Sequence, residues 1–391
     1  MTFTLHEKTE LKKNMDNNFD YFNKNSDIQN VKFLNSDTSL TTISKEYLMN
    51  LQKVSNKNYN QDCFNFLIKN IENEKNHFKI NLQEQNYISK ISDDKILSYL
   101  VYRYQFKYYP KLKKDTKFPI YVLIEPVSSC NLKCPMCFQS DKSFIKKEFM
   151  GKMSFDLYKK VIDECEKKGT QAITFGSRGE PTIHNQIEEF LSYASNKFMD
   201  IKLITNATKL DEKLINSIFE NNIQQVVFSI DSENKETYER IRKFGNYEQV
   251  LSNVKKYNEI KKSYKDNKTI TRISGIKVEE SQSEEKFYNF WKEYADEIVF
   301  KKAYSRWDTY NNETHDEFLE PCHFIWERAY IWYDGKVNPC DADYKSMLSY
   351  GNVNENSIEE IWNSEKLKKL KNTHLKNNRN KCTPCDRCGI S

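Results

Sequence analysis

The 391-residue sequence contains no long apolar stretch. Nowhere does it approach the roughly 20 consecutive apolar residues that a membrane-spanning helix needs. Its opening, MTFTLHEKTELKK, also lacks the apolar segment of a secretory signal peptide. We therefore expect a cytoplasmic protein that does not act at a membrane.

A strong charge of either sign is missing as well. The 61 Lys and Arg residues nearly balance the 56 Asp and Glu residues, which leaves a formal net charge of +5. The sequence pI is about 8.4, whereas a nucleic-acid-binding domain usually has a basic patch and a pI above about 9. No nucleic-acid partner is expected.

Apolar runs and amphipathic helical patterns alternate through the middle of the chain. The six apolar runs are FPIYVLIEP, QAITFGSRGEP, DIKLITNAT, QQVVFSID, TITRISGIKV and DEIVFKKAY. Apolar strands that alternate with helices predict a parallel sheet covered by helices, and so an α/β fold. The pattern fits an open sheet and a partial barrel equally well, and both place function at the carboxyl ends of the strands.

The same pattern predicts three regions. Residues 1–115 form a mostly helical N-terminal extension, with an opening of about 60 residues rich in Asn, Lys, Asp and Ser that we expect to be partly disordered. The alternating core spans residues 116–310. Residues 311–391 form a small C-terminal domain, in which WYDGKVNPC predicts a hairpin around Asp334–Gly335 and SIEEIWNSEKLKKLKN a short helix.

The ten cysteines fall into two groups and two single residues. In a reducing compartment, closely spaced cysteines are more often metal ligands than disulfide partners. Cys63 and Cys165 stand alone, and Cys165 lies in a helical pattern that predicts a buried packing residue.

The first group, Cys130, Cys134 and Cys137, directly follows the first predicted strand. Three thiolates on one short loop can hold three irons of a 4Fe–4S cluster and leave the fourth iron open for a ligand. A zinc site that borrows a distant fourth ligand is the alternative.

The segment EPVSSCNLKCPMCFQS resembles the signature of the radical S-adenosylmethionine (SAM) superfamily, with Met136 where that family most often has an aromatic residue. The resemblance covers about residues 118–390 and implies a partial (β/α)6 TIM-like barrel with SAM bound at the open iron. It further implies an electron donor of the flavodoxin or ferredoxin type. One electron then cleaves SAM to methionine and a 5′-deoxyadenosyl radical, which takes a hydrogen atom from the substrate.

Further segments resemble the SAM-binding loops of that family. They are SRGEP, in which Arg178 replaces a Gly, TNA, SID, and YERIR, in which Arg240 is an alternative to Arg242. By this resemblance the residues that contact SAM are Phe138, Gly179, Glu180, Pro181, Thr205, Asn206, Ser229, Asp231 and Arg242. An ordinary turn at the end of a strand and a solvated helical arginine are the plain alternatives.

The segments CHFIWERAYIWYDGKVNPC, GNVNENSIEEIWNS and CTPCDRC resemble, in this order, a SPASM or twitch domain. The resemblance implies one auxiliary 4Fe–4S cluster, since five cysteines are too few for two. We assign Cys322, Cys340, Cys385 and Cys388 as its ligands and Cys382 as the spare, although Cys382 could replace Cys388. Structural zinc is the alternative, because four thiolates suit both.

The resemblance leaves the substrate open. One auxiliary cluster favours oxidation of a small polar molecule such as a sugar or an aminocyclitol. A peptide maturase is the alternative, although residues 1–115 do not clearly show the strand pair of a peptide-binding winged helix. A non-enzymatic iron–sulfur protein is the third reading. Candidates for a catalytic base are Asp231, Arg178 and His184.

Overall fold

The computed structural model describes residues 41–56, 58–73, 78–303, 308–317 and 319–388, together with the backbone of Val31–Phe33. The disorder predicted for the opening of the chain therefore falls largely outside the described residues. Within them, no helix combines the length and the apolar character that crossing a bilayer requires.

Strands run through all three predicted regions. In chain order they are β1 (Val31–Phe33), β2 (Thr41–Ile43), β3 (Phe78–Ile80), β4 (Tyr121–Ile124), β5 (Ala172–Phe175), β6 (Asp200–Thr205), β7 (Gln225–Ser229), β8 (Ile270–Lys277), β9 (Glu297–Lys302), β10 (Arg328–Ile331), β11 (Lys336–Asn338) and β12 (Gly351–Asn352).

Helices alternate with the central strands and dominate the N-terminal region. They are α1 (Lys45–Val54), α2 (Gln61–Glu72), α3 (Leu82–Ile88), α4 (Asp93–Tyr108), α5 (Phe155–Lys167), α6 (Ile187–Ala194), α7 (Glu212–Glu220), α8 (Lys235–Ile241), α9 (Tyr247–Ser263), α10 (Glu284–Trp291), α11 (Phe324–Glu327), α12 (Ile358–Trp362) and α13 (Glu365–Leu375).

The six predicted core strands, β4 to β9, are parallel neighbours in chain order. This order places every carboxyl end at one rim, as the pattern of the sequence predicts. β1 pairs antiparallel with β9 at one end of the sheet, and β10 pairs parallel with β4 at the other. The described sheet ends in two different strands, so it has the topology of a partial (β/α)6 barrel and confirms the α/β fold class.

Helix α5 shows how the outer layer forms. Ser154 caps its N-terminus by accepting a bond from Leu157 N at 3.2 Å. Apolar residues at spacings of three and four, including Val161 and Cys165, are fully buried against the outer face of the sheet. Cys165 is thus the packing residue that its helical pattern predicts.

The N-terminal helices cover the inner face of the sheet. Apolar side chains of α4, among them Leu97 and Leu100, share a buried cluster with Leu123 of β4 and Tyr330 of β10. The short strands β2 and β3 pair antiparallel beside these helices. This strand pair was not evident in the sequence, because each strand has only three residues.

Two predicted helices are each divided in two. The helical segment 234–263 breaks after Ile241, and Asn246 caps α9 by accepting from Gln249 N at 2.9 Å. The C-terminal helix breaks at Asn363, and Ser364 caps α13. Polar caps that compete with the backbone explain both breaks.

The predicted C-terminal hairpin is confirmed. β10 and β11 pair antiparallel around Asp334–Gly335, and Gly335 has a φ of +83°, which favours glycine. Because β10 also joins β4, the C-terminal region continues the core sheet. The domain limits at residues 115 and 310 remain predictions.

Candidate functional site

The first cysteine group lies on the loop that leaves the carboxyl end of β4. Leu132 N donates to Cys130 Sγ at 3.4 Å, and Asn206 Nδ2 lies 3.8 Å from the same sulfur. Burial, together with the nearby carboxylate of Glu180 and the thiols of Cys137 and Cys134, raises the pKa of the Cys130 thiol to about 12. The three thiols therefore lie near one another on this loop, with Cys134 buried and Cys130 and Cys137 half-buried.

These thiols fit a cluster. Among the residues that the structure describes, no three His, Cys, Asp or Glu side chains are arranged to hold a single metal ion. A 4Fe–4S cluster instead takes one thiolate at each ligated iron. A cluster that binds the deprotonated thiolates would offset the free-energy cost of burying their negative charge, as metal binding does.

The turn after β5 supports the cysteine loop through its backbone. A Cβ atom at Gly179 would lie 2.0 Å from Val127 O and 2.5 Å from Ser129 O. Glu180 N donates to Ser129 O at 3.0 Å. Only glycine permits this approach, which explains the glycine of the SRGEP segment.

The Glu180 carboxylate ties the turn after β5 to the end of β6. It accepts bonds from Thr182 N at 3.1 Å, Thr182 Oγ1 at 2.8 Å and Asn206 N at 2.7 Å. Pro181 then begins a short 3-10 turn, Pro181–Ile183. Glu180 therefore has a positioning role in this structure, and its predicted contact with the SAM amine remains a prediction.

The end of β6 reaches the cysteine loop directly. Asn206 Nδ2 donates to Asn131 Oδ1 at 3.0 Å, and Asn131 Nδ2 donates to Thr208 Oγ1 at 2.7 Å. Thr205 Oγ1 accepts from Ala207 N at 3.1 Å, and Ala207 has a φ of +60°. Alanine thus keeps the left-handed turn that the family builds with glycine, at a cost in backbone strain.

Ser229, Asp231 and Arg242 lie at the ends of β7 and α8. Ser229 is half-buried, and its hydroxyl has no hydrogen bond to a described residue. Arg242 Nε lies 2.6 Å from Asp231 Oδ2, and Arg242 Nη1 lies 3.9 Å from Cys134 Sγ. Arg240 instead pairs with Glu279 on the surface, so of the two arginines only Arg242 reaches the cysteine loop.

The three candidate bases all have structural partners. Arg178 is paired with Glu125 through two contacts of 2.6 Å and donates to Tyr344 O at 2.8 Å. His184 uses both ring nitrogens, on Met153 O at 3.0 Å and Gln186 N at 3.1 Å. Asp231 is held by Arg242 and by Ile276 N. Each of the three side chains therefore has a partner within the folded chain, and the role of catalytic base stays a prediction for all of them.

Sequence reasoning missed the residues that join the rim to the C-terminal region. Glu125 holds Arg178, and the ring of Phe138 stacks on Tyr344 with centroids 5.2 Å apart and planes at 23°. Gln139 Nε2 donates to Ser128 O at 2.6 Å and Arg178 O at 2.7 Å. The sequence contained two signals of these contacts. Glu125 is an acid at the end of an apolar strand, and Arg178 is an arginine where the family has glycine.

The second cysteine group also converges. Burial raises the pKa of the Cys340 thiol, and the thiols of Cys385, Cys388 and Cys322 contribute in the same direction. These are the four predicted ligands of the auxiliary cluster. Cys382 is half-buried against the main core, and burial followed by the charge of Asp386 raises its pKa.

Models of two protein families match the core of the chain and its C-terminal region. The model of the radical SAM superfamily matches residues 124–290, and that of the SPASM iron–sulfur cluster-binding domain matches residues 322–389. The chain belongs to the radical SAM superfamily. It carries a C-terminal SPASM domain, and the cofactors of these two domains are 4Fe–4S clusters and SAM.

Curated relatives of this radical SAM protein align over parts of their length. The tungsten-containing aldehyde ferredoxin oxidoreductase cofactor-modifying protein of Pyrococcus furiosus is 31% identical over 112 residues, which are 28% of this chain and 30% of the relative. The antilisterial bacteriocin subtilosin biosynthesis protein AlbA of Bacillus subtilis is 23% identical over 281 residues, 64% of this chain and 61% of the relative. The chain thus spans less than two thirds of either relative.

Solved structures share the fold. Streptococcus suis SuiB bound to the precursor peptide SuiA has a TM-score of 0.53 and 18% sequence identity, covering 83% of this chain and 88% of that chain. SuiB bound to SAM gives a TM-score of 0.51 at 17% identity, covering 74% and 76%.

Replacing Gly179 by Ala should reduce the iron content, because the new methyl group would collide with the backbone of the cysteine loop. We expect Gly179→Ala to destabilise the fold by about 1–3 kcal/mol, as overpacking does. Iron per chain after anaerobic reconstitution and the urea midpoint are the measurements. Gly176→Ala is the matched control, since its Cβ would meet Ile204 at an ordinary 3.5 Å. Wild-type iron content in Gly179→Ala would contradict the packing argument.

Replacing Arg178 by Met should destabilise the protein by about 3–5 kcal/mol, because Glu125 would be left buried and unpaired. Burial raises the pKa of Glu125, and Arg178 opposes this. Without Arg178, the folded state binds a proton more readily than the unfolded state, so the deficit should shrink as pH falls from 8 to 5. Urea unfolding at both pH values measures it. In the double variant Arg178→Met/Glu125→Gln this pH dependence should disappear. If the loss of stability in Arg178→Met is the same at pH 8 and pH 5, the Glu125–Arg178 pair does not contribute as described.

Proposed function

We propose that this chain reductively cleaves SAM and oxidises its substrate by abstracting a hydrogen atom. The observation that carries the proposal is the convergence of Cys130, Cys134 and Cys137 at the carboxyl end of β4. Loops from β5, β6 and β7 surround these thiols. A site with three thiolates leaves one iron of a 4Fe–4S cluster open, and an open position is what a catalytic metal site requires.

The residues around the thiols fit such a cluster. Bound there, a 4Fe–4S cluster and SAM supply a 5′-deoxyadenosyl radical that removes a hydrogen atom. Asn206 is placed to donate a hydrogen bond to Cys130 Sγ, and the Arg242 guanidinium lies beside Cys134 Sγ. Hydrogen bonds and positive charge near the sulfurs favour the reduced, more negative state of a cluster.

Ser229 is the SAM-binding candidate with a free hydroxyl, since it lies half-buried at the end of β7 without a hydrogen-bond partner among described residues. Asp231 keeps the Arg242 side chain in place through their contact of 2.6 Å. Gly179 and Glu180 hold the rim in shape. Positioning, more than proton transfer, is thus the task of these residues.

An auxiliary cluster is proposed at Cys322, Cys340, Cys385 and Cys388. Cys340 and Cys385 each lie close to Cys322 and Cys388, and this proximity suits a set of cluster ligands. Such a cluster can accept the electron that remains after hydrogen abstraction and deprotonation, or shape the substrate pocket. We further propose an electron donor of the flavodoxin or ferredoxin type.

The first substrate candidate is a sugar- or aminocyclitol-like molecule. It follows from the single auxiliary cluster, since oxidation of a hydroxyl group to a ketone releases two electrons and one cluster suffices to accept the second.

A peptide is the second candidate, and two observations favour it. The N-terminal region contains the antiparallel strand pair β2–β3 beside helices α1–α4, and a peptide-binding winged helix also has a strand pair.

The relatives also favour the peptide candidate. SuiB shares the fold while bound to its precursor peptide SuiA. The mycofactocin maturase MftC of Mycolicibacterium smegmatis is 26% identical over 133 residues, 34% of this chain and 33% of the relative. A non-enzymatic iron–sulfur protein would not need the loops around Glu180 and Asn206, which argues against that third reading.

Changing Cys130, Cys134 and Cys137 together to Ala should abolish formation of 5′-deoxyadenosine from SAM and dithionite. The wild type should bind about eight irons and the triple variant about four. Cys165→Ala is the control, because this buried cysteine lies in α5, away from both groups. Product formation at the wild-type rate in the triple variant would reject the proposal.

The two substrate candidates are separated by isotope transfer. Deuterated sugars and deuterated peptides are incubated with reconstituted enzyme, SAM and reductant, and 5′-deoxyadenosine is analysed by mass spectrometry. Deuterium should pass only from the true substrate class, because hydrogen abstraction is direct. Transfer from peptides alone would replace the first candidate by the second.

Cys382 and Cys388 should differ in their effect on metal content. Cys382→Ala should keep about eight irons, whereas Cys388→Ala should lose the auxiliary four, because Cys388 lies close to both Cys340 and Cys385, whereas Cys382 lies close to Cys385 and packs against the main core. Iron and zinc are measured together by elemental analysis. One zinc and about four irons in the wild type would replace the auxiliary cluster by a structural zinc site.

A further inference from the structure

The positive charge of the chain is concentrated at one helix near the C-terminus. Between residues 364 and 381 the sequence has seven Lys and Arg residues and a single acid, Glu365. This excess is larger than the formal net charge of +5 of the whole chain, so the remaining residues include acids and bases in nearly equal numbers. Helix α13 and the turn that follows it contain this segment.

The solvent-exposed face of α13 is basic. Leu367, Leu370 and His374 are buried on the opposite face. Lys368 pairs with Glu365 at 2.8 Å, which is a weak contact because both side chains are exposed. The exposed lysines without an ion pair to any described residue are Lys366, Lys369 and Lys376. The exposed face therefore presents several ammonium groups to the solvent.

The acids near this helix make contacts away from its exposed face. Asp115 pairs at 2.7 Å with Lys371, whose side chain lies on the buried side of the helix. Asp316 contacts the turn after the helix, where its backbone oxygen accepts from Asn380 Nδ2 at 3.3 Å. The surface formed by the exposed lysines of α13 thus keeps a net positive charge.

The buried face of the same helix contacts the ligands proposed for the auxiliary cluster. Cys322 N donates to His374 Nδ1 at 3.2 Å. In the turn after the helix, Arg379 Nη2 donates to Cys388 O at 2.9 Å. A helix with its side chains is about 10–12 Å across. A protein bound to the exposed lysines would therefore be separated from this cluster by a single helix, which is a short distance for electron transfer.

We propose that the exposed lysine face of α13 is the docking surface of an acidic one-electron carrier protein, which takes up the electron that leaves the auxiliary cluster. The inference rests on the proposed function, in which this cluster accepts one electron from the substrate. One electron then passes from the reduced cluster to the oxidised carrier, the cluster returns to its oxidised state, and no bond forms or breaks. Opposite charges on the two surfaces steer the encounter and raise the association rate.

Binding to the reconstituted holoenzyme tests the docking surface. The probe is flavodoxin, an acidic one-electron carrier, and its dissociation constant is measured by calorimetry at low and at high ionic strength. The triple variant Lys366→Gln/Lys369→Gln/Lys376→Gln should weaken binding about tenfold at low ionic strength, because the attraction between the surfaces is lost. The difference from the wild type should shrink at high ionic strength, because salt screens exposed charges.

A matched control removes the same number of charges elsewhere. Lys255→Gln/Lys262→Gln/Lys265→Gln changes three exposed lysines on α9 and directly after it, and should bind flavodoxin like the wild type. Equal weakening in both triple variants, or binding that salt does not affect, would overturn the inference. Tighter binding of a single-stranded RNA than of flavodoxin to the lysines of α13 would also overturn it, since the face would then suit a nucleic acid.

Electron transfer shows whether docking serves the cluster. The variant without the first cysteine group is reduced, checked for an intact auxiliary cluster by its iron content, and mixed with oxidised flavodoxin. Flavodoxin semiquinone should form, and the three Lys→Gln changes in α13 should slow its formation about tenfold at low ionic strength. Absence of the semiquinone, or formation at an unchanged rate, would contradict the proposal.

The lysine variant also separates this inference from the proposed function. With SAM and dithionite it should form 5′-deoxyadenosine at the wild-type rate, because dithionite is a small reductant that needs no docking surface. If the wild type itself forms no 5′-deoxyadenosine, the proposed function fails, while the binding of flavodoxin still decides whether α13 is a docking surface.

Discussion

The site depends on one close backbone contact, in which Gly179 packs against the carbonyl groups of Val127 and Ser129 with no room for a side chain. This contact fixes the loop that carries Cys130, Cys134 and Cys137 against the turn after β5. Glu180 then extends the support to β6 through Asn206 N. Three thiols can face one another only if the loop holds them there, so the cluster chemistry of the site follows from this packing.

A second set of contacts makes the C-terminal domain part of the same site. Arg178 carries a buried charge between Glu125 of the core and the backbone of Tyr344. Its guanidinium also lies 4.3 Å from the ring of Trp332. Because the hydrogen bond from Arg178 to Tyr344 O crosses to the SPASM domain, and breaking it would leave a buried donor unpaired, the rim and this domain are expected to move together. The N-terminal helices complete the enclosure from the inner face of the sheet.

Much of the fold and of the candidate site could be predicted from the sequence, and there is a physical reason why the remaining contacts could not. The apolar runs predicted all six core strands, because strands buried in a parallel sheet need continuous apolar residues. The spacing of the cysteines indicated both thiol groups. The partners of Arg178, Asp231 and His184 could not be predicted, since contacts such as Glu125 with Arg178 join residues far apart in the chain. The strand pair β2–β3 was missed because three-residue strands carry little periodic signal.

The central claim is that the first cysteine group holds a cluster with one open iron that binds SAM. Electron paramagnetic resonance of the dithionite-reduced protein tests it most directly, in a variant in which Cys322, Cys340, Cys385 and Cys388 are changed to Ala so that only one cluster contributes. The account predicts a signal of a reduced 4Fe–4S cluster that changes when SAM is added. The absence of such a signal, or a signal that SAM leaves unchanged, would contradict it.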